Sequence, residues 1–334
     1  MKSSILNQKG LALFIVLWVL VLLSVIVGEF CHTMRTEVNI TRNFKEQTQA
    51  YYIAVAGFNT AVAELIKSKV KPLKPETPEQ EDEDEIQWRI NTDIPAVPFA
   101  QGHFKVEIEN ESGKININRA EQGLLIMMLG SFDLEDDDKK MIADSVLDWR
   151  DPDQLHRLNG AEDDYYQGLP EPYECKDADF DSVEELLLVK GITPEIYRKL
   201  RNAVTVYQDE QPAAKVKANT KSKKKEFDFN KININAASRE ILGTLPEMTE
   251  DMVQEIIEYR KEKDFKSLGE FGQIVGPDVF REIVKYLTLE TLPCYKIEST
   301  GIIENSNIRQ TVQALVIIDT KLKKKYRIIQ WIEK

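Results

Sequence analysis

Carboxylates crowd one stretch of this chain of 334 residues. Asp151 and Asp153 come first, then Glu162, Asp163 and Asp164, then Asp177, Asp179 and Asp181; Arg157 and Lys176 are the only lysine or arginine among them. Hard oxygen donors are what calcium selects, about six to eight of them at roughly 2.3–2.6 Å. These eight residues are the candidate ligands. They lack EF-hand spacing, so they have to converge from separate turns. A solvated acidic loop is the plain alternative. A compact fold favours the ion, because carboxylates packed together repel one another unless something neutralises them.

Other chemistries find no support. The three histidines (His32, His103, His156) form no HExxH, and the three cysteines (Cys31, Cys175, Cys294) form no CxxC pair and no zinc-ligand spacing. There is no nucleophile–base pair and no phosphate loop, so the chain is read as no enzyme. A net charge of −12 argues against an electrostatic hold on nucleic acid. Cys175 and Cys294 could bridge in an oxidising compartment or stay free, and spacing does not choose between the two.

The acidic stretch belongs to one copy of an internal repeat. Lys114-Ile115-Asn116-Ile117-Asn118 recurs as Lys231-Ile232-Asn233-Ile234-Asn235. Val146-Leu147-Asp148-Trp149-Arg150 answers to Ile256-Ile257-Glu258-Tyr259-Arg260, and the blocks opening at Asp179 and Asp264, then Val189 and Ile274, follow in the same order. From Arg150 to Asp179 is 29 steps and from Arg260 to Asp264 only 4, so the first copy carries an acidic insertion. Asn118 and Asn235 are expected to N-cap the helices that follow, Glu121 completing a capping box in the first copy. Pro194 and Pro277 are placed to open later helices. A proline-punctuated acidic loop (residues 71–86) and a lysine-rich linker (residues 208–230) flank or divide this region.

Outside the repeat the pattern changes. Phe104, Val106 and Ile108 alternate with charged residues as in a half-buried strand, and residues 295–302, 310–319 and 326–332 read as three more. Pairing all four against a long helix gives an α+β fold, with the repeats inserted between strands of one sheet. That helix begins with an uncharged apolar run, residues 11–27, close to the length needed to cross a bilayer. It continues to about residue 70 without proline, with Val38, Phe44, Tyr51, Val55, Phe58, Val62 and Leu65 forming a stripe. No Ala-x-Ala site follows the run, whereas Gly10 precedes it directly behind a short basic leader. An ordinary signal anchor is one reading; cleavage between Gly10 and Leu11 by a prepilin peptidase is the other.

These features resemble a pilin or pseudopilin N-terminus. Ile15, fifth after the proposed cut, stands where most of that family carry a glutamate thought to pair with a neighbour's amine. An unpartnered carboxylate at that depth costs about 2.5–3.5 kcal/mol, so a subunit with no neighbour ahead is expected to lack it. With Leu147-Asp148-Trp149-Arg150-Asp151-Pro152-Asp153, Gly160-Ala161-Glu162-Asp163-Asp164-Tyr165-Tyr166 and Ser182-Val183-Glu184-Glu185-Leu186, the chain resembles the type II secretion system protein K family. The resemblance implies a minor pseudopilin anchored once in the bacterial inner membrane, N-terminus cytoplasmic and the bulk periplasmic. It implies a pilin-like fold interrupted by a large all-α domain of two helix-hairpin-helix or SAM-like repeats, with structural calcium there. The expected partners are the I and J minor pseudopilins, the prepilin peptidase and the inner-membrane secretion platform, with no nucleic acid. The corresponding division is leader 1–10, membrane helix 11–30 and periplasmic helix 31–70, pilin-like part 71–113, α-domain 114–290 (114–207, linker 208–230, 231–290) and C-terminal strands 291–334.

A rival comes from the repeat. Residues 245–260 resemble a helix-hairpin-helix, a module that can grip DNA phosphate, as in a membrane-anchored receptor of a competence or type IV pilus system. Against it, Glu247 and Thr249 occupy positions of hairpin glycines, and Glu247, Glu250, Asp251 and Glu255 would repel the backbone of DNA.

Overall fold

A computed structural model describes residues 8–70, 86–207, 227–304, 306 and 308–334. Most of the leader, the acidic loop and most of the lysine-rich linker lie outside the described residues. Helix α1 (Gln8–Val70) is 63 residues long, about 95 Å at the usual rise. Gly10 and Leu11 fall in its first turn, their side chains outside the described residues. Its two ends are differently built. From Leu13 to Phe30 the large apolar side chains are exposed, whereas Ala50, Ile53, Ala54, Phe58, Ala61, Val62 and Leu65 are buried at three- and four-residue spacing. Among the described residues this is the one helix long and apolar enough to span a membrane.

The buried half of α1 lies on an antiparallel sheet of five strands: β1 (Val97–Phe99), β2 (Gly102–Asn110), β7 (Cys294–Ile303), β8 (Arg309–Ile318) and β9 (Tyr326–Glu333), paired in that order. Close contact explains two glycines. A Cβ on Gly301 would stand 2.1 Å from the Ala50 carbonyl oxygen, and one on Gly57 2.8 Å from the Phe104 ring. Helix and sheet therefore touch backbone to backbone, and the α+β expectation is borne out. The pairing of β2 with β7, Asn110 opposite Tyr295, places the whole repeated region between two neighbouring strands.

Each repeat closes on itself with a short parallel ladder. In the first, β3 (Ile115–Asn116) pairs with β4 (Val204–Thr205) around α2 (Gln122–Met128), α3 (Asp136–Arg150), α4 (Asp163–Tyr166) and α5 (Pro194–Leu200). In the second, β5 (Ile232–Asn233) pairs with β6 (Leu287–Thr288) around α6 (Arg239–Gly243), α7 (Glu250–Glu262), α8 (Leu268–Val275) and α9 (Pro277–Ile283). The two copies share one core, from Ile115 and Leu125 through Ile241 and Ile256 to Leu287. Pro194 and Pro277 open α5 and α9, behind Gly191 and Gly276 at φ +84 and +83. Arg89 and Asn91 tie the second repeat to the sheet side, donating to the carbonyls of Lys261 and Ala236 at 2.7 Å each.

The asparagine caps are a correction. Asn118 caps no helix: α2 starts at Gln122 behind Glu121, which makes no side-chain cap. Instead Asn118 donates to the Phe180 carbonyl (2.9 Å) and accepts from the Phe180 N–H (2.7 Å). Asn235 does the same to Phe265 at 3.1 and 2.9 Å. The returning chain brings a buried N–H and C=O that need partners, and a carboxamide supplies both. Ser238 caps α6 in the second copy.

Candidate metal centre

The centre is built on the last turn of α3. Asp148 is completely buried there, on the face that turns inward. Its carboxylate accepts the N–H groups of Arg157 (3.1 Å to Oδ2) and Ala161 (3.0 Å), and the Arg157 guanidinium at 2.6 Å. The same guanidinium reaches Asp151 at 2.5 Å. Residues 151–161 thus wrap round one carboxylate, and Gly160 lies so near it that a Cβ would sit 1.7 Å from Asp148 Oδ2.

The loop delivers Glu162 to the interior, just ahead of α4. Glu162 is 2% exposed, and neither oxygen has a backbone or side-chain N–H or O–H partner among the described residues. It faces the Cys175 thiol. Asp177 joins them from a residue in the left-handed region, φ +50, a conformation aspartate tolerates better than most. One ligand atom from each of Glu162, Cys175 and Asp177 lies within 4.8 Å of the others. Asp177 Oδ1 and Asp151 Oδ1 are also buried without a hydrogen-bond partner.

The electrostatics match this geometry. Burial, then the carboxylates of Asp148, Asp177 and Asp151, push Glu162 up to about 7. Burial also raises Asp148, against the pull of Arg157, and raises the Cys175 thiol. Unpaired buried carboxylate oxygens beside one another are costly, and a divalent cation supplies the charge they lack. The residues present fit a bound cation.

Of the eight carboxylates singled out in the sequence, Asp151, Glu162 and Asp177 supply the unpaired oxygens. Asp163 stands behind them, accepting the Cys175 N–H at 2.7 Å. The other four face elsewhere. Asp153 accepts the N–H of Leu155, Asp164 is exposed, Asp179 makes a two-pronged pair with Arg119 at 2.9 Å, and Asp181 pairs with Lys176 at 2.7 Å. Asp148 and Cys175 are the members the sequence reading missed. The signal for Asp148 was a charge directly between two buried positions, Leu147 and Trp149. Cys175 was weighed only as half of a disulfide; all three cysteines are free.

Two other places are less promising. A cleft of about 470 Å³ between sheet and repeats is lined by Lys114, Glu109, Glu111 and Lys296, which already pair among themselves. In the hairpin before α7 the left-handed residue is Glu247, φ +59, so its side chain stands where a phosphate-binding hairpin has glycine.

A single helix half bare and half seated on an antiparallel sheet, with helical repeats inserted between two strands, defines a pilin-like fold carrying an all-α insertion. The family model for type II secretion system protein K matches residues 106–209, and that for the helix-hairpin-helix motif matches residues 228–288. Type II secretion system protein K of Pectobacterium carotovorum subsp. carotovorum is 27% identical over 217 residues, and that of Aeromonas hydrophila 25% over 212. These matches take in 58% of this chain and 61% and 62% of the relatives, so the chain spans less than two thirds of their length. The crystal structure of the GspK-GspI-GspJ complex from enterotoxigenic Escherichia coli shares the fold, with TM-score 0.56, 18% identity, and coverage of 88% of this chain and 99% of that one. The chain is similar to type II secretion system protein K over these residues, and the resemblance drawn from its motifs is borne out.

Proposed function

We propose that this protein is a minor pseudopilin of a type II secretion system, part of the tip complex that starts pseudopilus assembly for export of folded proteins. The observation that carries the reading is α1: apolar and bare from Leu13 to Phe30, then seated on the sheet from Ala50 onward. Such a helix anchors one end in a membrane and presents a fixed domain at the other. Ile15 leaves no carboxylate for a subunit ahead, which supports a place at the tip. The partners are the I and J minor pseudopilins, the similar solved structure being a complex of that composition. The anchor sits in the inner membrane, leader cytoplasmic and the rest periplasmic, and a prepilin peptidase cuts between Gly10 and Leu11. The protein binds no nucleic acid and catalyses no reaction; its work is assembly.

Asp151, Glu162 and Asp177 are the residues that would hold calcium in the insertion, supplying oxygen donors in place of the lost water. Held in that way, the ion cross-links the loop after α3 to the segment after α4 and stiffens this face of the first repeat. Co-expression of the full chain with I and J minor pseudopilins, followed by detergent extraction and pull-down, tests the assembly role. A three-part complex is expected, and recovery of this chain alone from membranes containing both partners would refute it. N-terminal sequencing of the same material is expected to begin at Leu11.

A further inference from the structure

We propose that the outer edge of β9 takes up an extended segment of another protein as an additional strand, one that alternates apolar and polar side chains and carries carboxylates at its downstream end. The inference names a further contact surface and stands apart from the assembly role. The two edges of the sheet are built differently. β1 covers one of them for only three residues, with Pro98 in the middle, and so short a proline-bearing strand offers an incoming chain little to pair with. β9 forms the other edge for eight residues and contains no proline. Lys334 and Thr311 exchange both backbone hydrogen bonds, at 2.9 and 3.2 Å, so Ile332 and Gln330 also turn to β8 while Trp331 and Glu333 turn their N–H and C=O groups outward. Beyond the register shift at Leu315/Val316, the Asp319 N–H bonds the Lys325 carbonyl at 3.0 Å, which turns Tyr326 and Ile328 outward by the same alternation. Among the described residues no backbone group pairs with this outer row.

The charge at one end of the strand selects the occupant. The turn from β8 into β9 carries Lys321, Lys323, Lys324 and Lys325, all exposed, on a chain of net charge −12. Among the described residues none of these four ammonium groups has a hydrogen-bond or ion-pair partner. An antiparallel strand, the commoner arrangement, ends beside that turn when laid on β9. Its downstream carboxylates then meet the lysines, and its apolar side chains meet Ile328 and Ile329, which are exposed. Backbone hydrogen bonds supply the affinity of such an addition and side chains its selectivity. Lysines beside an open edge turn away a basic strand as well as drawing an acidic one. The chain's own acidic stretch, residues 79–85, contains no apolar residue to set against Ile328 and Ile329.

The test uses the full chain in detergent micelles and a fluorescent synthetic peptide that alternates valine and threonine and ends in glutamates. Polarisation is expected to show saturable binding, and about tenfold weaker binding of the same peptide ending in lysines. Lys323→Glu combined with Lys324→Glu is expected to remove that preference. Hydrogen exchange read residue by residue is expected to slow at Trp331 and Glu333 on binding, and to stay as it was at Gln330 and Ile332, which already bond β8. Ile328→Pro takes away an outward N–H, leaves the ladder to β8, and is expected to weaken the glutamate peptide by about tenfold or more. The paired lysine variant decides the matter if the proline variant does not fold. No binding, equal binding of the two peptides, or binding without slowed exchange at Trp331 and Glu333 would overturn the proposal. So would binding that appears only once the carboxylates of residues 79–85 are replaced by amides, because the chain's own acidic stretch would then be the occupant. Self-association through β9 without peptide, lost in Ile328→Pro, would give the edge to a second copy and overturn it as well.

Discussion

The two repeats are one fold built twice, and only one of them carries a buried acidic centre. Trp149 lies over Phe180 and Tyr259 over Phe265, in each case beside the asparagine that clamps the phenylalanine backbone. Arg150 donates to the carbonyls of Ile117 and Ala120, Arg260 to those of Ile234 and Ala237. One position differs in kind. Asp148 is buried and gathers the insertion round itself, while its counterpart Glu258 is exposed and accepts a hydrogen bond from Gln254. The second repeat shows that the fold needs no such centre. The carboxylates of the first are therefore an addition to a scaffold already complete, in keeping with the proposed cation site.

The comparison breaks most visibly at that position. Asp148→Ala leaves the N–H of Ala161 and part of Arg157 without an acceptor in a buried place, and is expected to cost about 3–5 kcal/mol. Glu258→Ala is expected to change stability by no more than about 0.5 kcal/mol. Denaturant unfolding measures both, and hydrogen exchange should place the Asp148 loss in residues 151–181 and spare the second repeat. Equal losses at the two positions would mean that the repeats do not differ as described.

The shared clamp predicts the opposite outcome, equality. Arg260 is buried and Arg150 half-buried, and burial pulls each guanidinium down to about 10. They remain charged at neutral pH and each satisfies a pair of backbone carbonyls. Arg150→Met and Arg260→Met are each expected to cost about 2–3 kcal/mol, within error of each other, in urea unfolding. A cost confined to Arg150 would tie that arginine to the acidic centre and not to the repeat.

A pH series separates the copies more finely. In the cation-free protein Glu162 titrates near 7 when folded, against an ordinary value of 4.5. Between those values the folded chain holds a proton that the unfolded chain has released, so stability falls as pH rises from 4.5 to 7. The contribution is fully present below 4.5 and is expected to amount to about 1–2 kcal/mol once solvent relaxation is allowed for. Asp148, also raised, acts in the same direction. Melting temperatures across this range should slope downward without cation, flatten when it is added, and flatten in Glu162→Gln. The second repeat has no counterpart to Glu162, so a slope undiminished in Glu162→Gln would assign the effect elsewhere, to Asp148 first.

Much of this was legible in residue order, where periodicity extends over several residues. The expected strands at 295–302, 310–319 and 326–332 lie within one residue of β7, β8 and β9 at either end. Two-residue strands such as β3 and β5 carry no alternation, and β1 is too short to show any. Asn118 misled because an asparagine before an apolar run reads as a cap, whereas its partner, Phe180, is 62 residues away. The same limit governs the centre. Asp151, Glu162 and Asp177 were visible as charge, but which carboxylates turn inward depends on how Asp148 folds the loop. Asp179 and Asp181 were spent on Arg119 and Lys176, partners that composition does not reveal.

The smallest expected effect concerns how the equivalent helices α3 and α7 begin. Thr249 caps α7, accepting the Met252 N–H at 3.3 Å. At the same place before α3 stands Glu135, which makes no side-chain cap, although Asp136, Asp137 and Asp138 offer negative charge to the helix N-terminus. Both first turns are acidic, α7 carrying Glu250 and Asp251, so the second copy adds a specific hydrogen bond to the diffuse field on which the first relies. Thr249→Ala is expected to cost about 1 kcal/mol, and Glu135→Thr to gain about 0.5–1 kcal/mol by giving α3 the bond it lacks. The field is screened by salt and the hydrogen bond is not. Raising ionic strength should therefore lower the protection of α3 amides in hydrogen exchange more than that of α7 amides, and Glu135→Thr should remove most of that difference. If α3 were indifferent to salt, its start would be held by packing alone, and the acidic first turn would have no part in it.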